Sequence, residues 1–225
     1  MFEFYYTDNK KQDKQFIRQC YDVKKQLNIL SFHTLFSVHY DYNYSSTCEN
    51  HNFWECVYVI NGDITSTIDE KIYTLTTDDI IFLKPFALHN LKIDSQNGAD
   101  ILIFSFTESS NFMLFFENKL FKLSPFQRNI LNSMLDFLHS NYVEKRKYSN
   151  PTLKNYLDCF SISETFSHTL SSYIQLLFLQ LYEQPNQLIL SNSTTPKERG
   201  SLTGYPKIVA PLFCWIALFS VLVKF

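Results

Sequence analysis

The sequence predicts an α+β fold, mainly β, with an antiparallel barrel or sandwich followed by two amphipathic helices. Three observations carry this. Short runs rich in β-branched and aromatic residues recur at close, even spacing between residues 31 and 107. Turn-forming clusters separate them. From Ser124 the apolar residues switch from a two-residue period to a helical one.

Taken in order, residues 1–30 are polar and mixed, with weak helical patterning in "KQFIRQCYDVKKQL". The strand-like runs are "HTLFSVHYDY", "FWECVYVI", "ITSTI", "KIYTL", "DIIFL", "LHNLKI" and "DILIFSF". The turns between them are "NGD", "DEK", "TDD", "KPFA" and "SQNG". The first helix is expected from Ser124, which with Gln127 makes a capping box, and Pro125 suits its first position. Its apolar face reads Phe126, Ile130, Leu131, Leu135 and Leu138. The second helix is expected from Ser161, boxed with Glu164, to Pro185. Its stripe is Phe166, Leu170, Tyr173, Ile174, Leu177 and Leu181. Such helices can pack on the barrel or pair with a second copy.

Composition narrows the function. Hydrophobic residues make up 45% of 225 residues and aromatics 17%, enough for a sizeable core and against global disorder. Net charge is -2 with both signs scattered, so there is no basic stripe for nucleic acid. The cysteines (Cys20, Cys48, Cys56, Cys159 and Cys214) are odd in number and lack C-x-x-C spacing. A disulfide framework or zinc knuckle is therefore not expected. The N-terminus "MFEFYYTDNKKQDKQF" lacks the apolar core of a signal peptide, so a cytoplasmic location is expected.

Residues 186–204 read as a Ser/Thr-rich linker. Residues 208–223 are apolar apart from Ser220, between Lys207 and Lys224. That run is shorter than the roughly 17-residue lower limit for a span and carries Pro211 near its start, so no membrane span is expected.

The stretch "ENHNFWECVYVINGD", residues 49–63, carries the candidate site. Strand alternation puts Glu49, His51, Phe53, Glu55, Val57 and Val59 on one face. Trp54, Cys56, Tyr58 and Ile60 share the other, where Trp54 and Tyr58 are expected to pack under the helices. Three readings are open for His51 and Glu55: pocket lining for a small molecule, a hydrogen-bonded pair at the barrel rim, or metal ligands. Phe53 on the inward face is a candidate for stacking on a sugar. His89, after "KPFAL", is either a pocket wall or a turn residue. His33 and His39 share one parity on the first strand and are expected at a surface or edge.

The spacing His51, three residues, Glu55, six residues, Gly62, with "IDEKIYTLTTDDIIFLKPFALHN" and "DILIFSF" after it, resembles the cupin barrel. It resembles still more the ligand-binding barrel of AraC-type (AraC/XylS) transcriptional regulators. Their pattern looks like H-x-F-x-E-x-x-Y-V-x-x-G, then L-x-x-G-D-x-x-x-x-P-x-x-x-H, then a closing strand. The likeness covers about residues 33–107 and extends loosely through the helices to about residue 184. It implies a cupin-like barrel with a metal-free pocket for a small molecule, a sugar or related polar metabolite. It also implies a homodimer formed through helices 124–184 and no cofactor. Glu49, His51, Phe53, Glu55 and His89 are the ligand-binding candidates. The departures are Glu49 where metal-binding cupins have histidine, Asp78 in place of a glycine before Asp79, and Ile93 in place of an asparagine.

The same likeness implies domains at 1–123 (barrel), 124–185 (helical dimerisation segment) and 186–225. "GYPKIVA" resembles the opening of the family's helix-turn-helix module, so 186–225 reads as a truncated or frame-changed DNA-binding region. DNA contact is expected only where that module is present. The favoured reading is a sensor that is not an enzyme. The alternative is a metal-dependent cupin isomerase or oxygenase, with Glu49, His51, Glu55 and His89 holding the ion.

Overall fold

The expected antiparallel strands are present in the computed structural model, which describes residues 25–142, 160, 162–183 and 188–189. The chain divides into compact units Met1–Ser193 and Thr194–Phe225, and the described residues all lie in the first. Residues 14–24 of the first helical pattern, Ser161, Pro185, most of the linker and the apolar tail lie outside the described residues.

Strands β1 (Ile29–Tyr40), β2 (Trp54–Asn61), β5 (Asp79–Leu83), β7 (Ala99–Glu108), β8 (Leu120–Lys122) and β9 (Leu188–Ile189) form one sheet in the order β1-β7-β2-β5-β8-β9. Strands β3 (Asp63–Ile68), β4 (Lys71–Thr76) and β6 (His89–Ile93) form a second, ordered β4-β3-β6. Every pairing between these strands is antiparallel. A core of Val57, Val59, Ile64, Ile68, Leu75, Ile81, Ile93 and Ile101 joins the two sheets into a flattened barrel.

The outer face of the larger sheet carries a second core. Trp54, Cys56, Tyr58, Phe82, Phe104 and Phe106 pack there against α1 (Pro125–Ser140) and α2 (Glu164–Glu183). Strand β2 is therefore buried on both faces, as its near-continuous apolar run requires. Phe178 of α2 meets the rings of Phe82, Phe104, Phe106 and Phe116 at centroid distances of 5.0–6.4 Å. The barrel and the two helices thus share one hydrophobic interior.

Local signals set the helix starts. The Ser124 side chain accepts from the Gln127 amide, and the Gln127 side chain returns to the Ser124 amide. At the start of the second helix Ser163 accepts from the Phe166 amide at 3.0 Å and Glu164 is the first helical residue, while Ser161, the expected cap, lies outside the described residues. The buried stripe of α1 also differs. It runs through Gln127, Ile130, Leu131, Met134 and Leu138, leaving Phe126 exposed. The sheet lies about one position round the helix from where the apolar residues alone place it.

Sequence periodicity missed three elements: the 3-10 helix Phe112–Phe116, and strands β8 and β9. Each is too short to show a period. β8 forms because the edge of β5 accepts it, with Ile80 opposite Phe121.

Turns bring the sheets together. Gly62, between β2 and β3, has φ +93° and lies against the β6–β7 turn at Gly98. Asp78, at the position of the expected glycine, takes φ 71° without one. Its carboxylate accepts from the Tyr58 hydroxyl at 3.2 Å and from Arg128 of α1 at 2.7 Å. Aspartate is among the few residues besides glycine that enter the left-handed region, and here two partners distant in sequence hold its side chain.

Candidate functional site

Residues 50–53 are not strand; β2 starts only at Trp54, so strand parity does not carry Glu49 and His51 to Glu55. The chain bends instead. The His51 carbonyl accepts from the Phe86 amide at 2.7 Å, which pins residues 50–53 to the β5–β6 turn. Phe86 pays for this with φ 65° and a ring that is 71% exposed. For a bulky side chain that conformation costs about 1–2 kcal/mol. The strained turn is the one that leads directly into His89.

His89 opens β6 and is only 5% exposed, so it is a wall of the site and not a surface turn residue. It pairs across β3 with Ile68, and on its other side its backbone exchanges hydrogen bonds with Glu49. Glu55, second residue of β2, is 8% exposed and points to the face shared with Val57 and Val59. Three separate segments thus converge where β2 and β6 begin.

Each histidine is oriented from behind. His51 donates from Nδ1 to the Phe53 carbonyl, and His89 from Nδ1 to the Ala87 carbonyl, both at 2.9 Å. Both rings then turn Nε2 toward Glu55. His51 Nε2 lies 3.4 Å from Glu55 Oε2, and His89 Nε2 lies 3.5 Å from Oε1. These contacts are within reach of charge attraction. Neither is aligned as a hydrogen bond, and both Nε2 atoms are buried without a hydrogen-bond partner.

Burial works against ionisation of Glu55, but the two imidazoles outweigh it and hold its carboxyl below the ordinary carboxylate range. Burial likewise works against charge on His89, yet the Glu55 carboxylate and the Ala87 carbonyl raise its pKa above the ordinary histidine value. The site is a negatively polarised recess that favours positive charge.

Phe53 is placed beside the cluster but in a supporting position. His51 stacks on it at 3.9 Å between centroids and His33 at 4.2 Å, both nearly parallel. Two rings so close and so parallel cannot share one face, so the phenyl is sandwiched between the imidazoles. It braces His51 and leaves no face free for a sugar. Glu49 lies at the rim: its side chain is 60% exposed, with Oε1 3.9 Å from His89 Nε2.

His33 is the residue sequence reasoning missed. Far from being a plain edge residue, it stacks on Phe53 and bonds the Thr107 hydroxyl at 2.6 Å. Burial, then the nearby His51, lowers its pKa. No local signal marks it, because both partners are distant in sequence. His39 lies apart, bonded to Asp100 at 2.8 Å.

Comparison with known proteins bears on this arrangement. Residues 34–115 match the model of the AraC-like ligand binding domain. No curated protein sequence matches. Among solved structures, an RmlC-like cupin from Shewanella frigidimarina is 26% identical over 35% of this chain and 70% of its own, with a TM-score of 0.29. KdgF from Halomonas sp. is 18% identical over 35% of this chain and 76% of its own, with a TM-score of 0.30. Bacillus subtilis oxalate decarboxylase is 18% identical over 33% of this chain, with a TM-score of 0.30, and the chain spans only 22% of its length. Among the described residues no helix is long and apolar enough to cross a membrane.

Proposed function

We propose that this chain, whose residues 34–115 match the model of the AraC-like ligand binding domain, is the small-molecule-sensing and dimerisation module of an AraC-type transcription regulator acting in the cytoplasm. Its role is regulatory and not catalytic. The match over residues 34–115 carries the reading, and Glu49, His51, Phe53, Glu55 and His89 all fall inside it. The effector is a small polar metabolite, with sugars the first class to test. His51 and His89 offer it buried Nε2 atoms without a hydrogen-bond partner, beside the Glu55 carboxylate and on the face of β2 that carries Val57 and Val59. Recognition by few convergent polar groups over an apolar wall is the usual design of a small-molecule site.

Effector binding would act on helices through β2. That strand carries Glu55 on its inner face and Trp54, Cys56 and Tyr58 on the face under α1 and α2. A population shift follows only if the effector binds one arrangement better than the other. Joined to DNA-binding helices, such a module would switch transcription.

A screen of sugars and related metabolites by thermal shift tests the effector reading. At a hundredfold excess over Kd, an effector stabilises by about 2.7 kcal/mol, or about 5–10 °C in Tm for a chain of this size. The H51A/E55A double variant is expected to lose that shift while its far-UV circular dichroism stays unchanged. An undiminished shift in the double variant rejects the pocket.

For the dimer, α2 presents Leu176 and Leu179 outward, 44% and 37% exposed, one turn apart on a face that the barrel does not cover. Replacing both with glutamate is expected to convert the homodimer to monomer in sedimentation velocity without loss of helix. A mass unchanged from wild type would remove this face from the dimer contact.

A further inference from the structure

We propose that Asp78 is a coupling residue: it clasps strand β2 to helix α1, so that a displacement of the strand carrying Glu55 is passed to the helix. Its regulatory meaning rests on the sensor reading above.

The turn between β4 and β5 sets Asp78 between the two elements, and it holds each by one backbone bond and one side-chain bond. Toward β2, its amide donates to the Val59 carbonyl at 2.8 Å, and its Oδ1 accepts from the Tyr58 hydroxyl at 3.2 Å. Toward α1, its carbonyl accepts from the Leu123 amide at 2.9 Å, and its Oδ2 accepts from Arg128 at 2.7 Å. Leu123 immediately precedes Ser124, the N-cap of α1, and Arg128 lies in the first turns of the helix. Lys122 ties the same turn to the helix side. Its ammonium donates to the Thr77 carbonyl at 2.8 Å and lies 3.0 Å from Asp79 Oδ1.

The second observation is where the clasp meets β2. Tyr58 and Val59 follow Glu55 closely on the same strand. Val57 and Val59 face the barrel interior with Glu55, while Tyr58 is buried under the helices. Pairing with β5 on one edge and β7 on the other keeps this stretch of β2 stiff. A shift at Glu55 therefore reaches Asp78 through two adjacent residues at once. Apolar packing between sheet and helices has no preferred direction and permits sliding. Hydrogen bonds weaken steeply with angle and distance, so the four bonds of Asp78 fix one register of α1 on β2.

The residue type points the same way. At φ 71° glycine would make the turn without steric cost. Aspartate adds the carboxylate that reaches Tyr58 and Arg128. The ion pair is partly open to solvent, with side chains 23% and 40% exposed, so it adds little stability. What it supplies is connection.

Asp78→Gly separates connection from stability, because it keeps the left-handed turn and removes the carboxylate. D78G should melt within about 5 °C of wild type. Hydrogen exchange on the full-length chain then reads the coupling, with Val57→Ala as a probe that disturbs β2 from its inner face. In the wild-type background V57A is expected to speed exchange at residues 128–134 of α1 about fivefold more than in α2, whose amides report global opening. In the D78G and R128Q backgrounds the same probe should change α1 less than about twofold relative to α2. Val59→Ala, on the same face, repeats the measurement, so one badly folded variant does not decide it. Two results overturn the proposal: an α1 response undiminished in D78G and R128Q, or a wild-type response no larger in α1 than in α2. No effector enters this experiment, so the clasp and the sensor reading can fail separately.

Discussion

Phe178→Ala should lower the stability of the protein by about 3–5 kcal/mol, the range for emptying a large aromatic site in a core. The ring is fully buried and touches Phe82 of β5, Phe104 and Phe106 of β7, and Phe116 of the 3-10 helix. Those strands flank β2 on both sides, so the cavity would open directly behind the strand that carries Glu55. For a chain of this size the loss corresponds to a fall in Tm of about 10–15 °C. Leu176→Ala, on the exposed side of the same helix, should cost about 0.5 kcal/mol or less in the monomer. Calorimetry of the two variants compares them directly. If F178A melts within 2 °C of wild type, α2 does not share the barrel's core.

Gly62→Ala should destabilise by about 2–4 kcal/mol despite adding one methyl group. At φ +93° an L side chain is strained before any neighbour is considered. The added Cβ would also lie 2.7 Å from the Gly98 carbonyl oxygen and 2.9 Å from both Cα and Cβ of Ala99. None of these atoms can swing aside without moving the β6–β7 turn. The consequence reaches the site through register: Gly62 leads into β3, and β3 pairs Ile68 with His89. A Tm fall of about 5–10 °C is expected, with amide exchange in β3 and β6 accelerated before that in β7. A melt indistinguishable from wild type would show that the turn can relax, and that the close approach of Gly62 and Gly98 does not hold the two sheets together.

How far the site was legible can be judged residue by residue. His51, Glu55 and His89 stand out in sequence because polar groups interrupt apolar runs. The structure does bring them together, although by a different route. Parity assumed one continuous strand from Glu49, whereas a bend at 50–53, held by the Phe86 amide, delivers His51. Such a bend depends on a hydrogen bond to a turn more than thirty residues away, and no local pattern encodes it. Phe53 was legible as an inward aromatic but not as a brace. His33 was not legible at all, because only its stacking on Phe53 and its bond to Thr107 give it a place.

By itself the sequence determined what local physics controls. Alternating and β-branched runs specify strands, Gly62 and the Asp-rich turns specify reversals, and Ser124 with Gln127 starts a helix wherever the chain goes next. It also determined which residue types were available for binding. Tertiary structure alone decided which face of α1 is buried, that Ser163 caps α2, that β8 joins the sheet edge, and that two imidazoles and a carboxylate share one recess. The reason is physical: these outcomes turn on contacts between segments distant in the chain, whose free energy exists only once both sheets and both helices are in place.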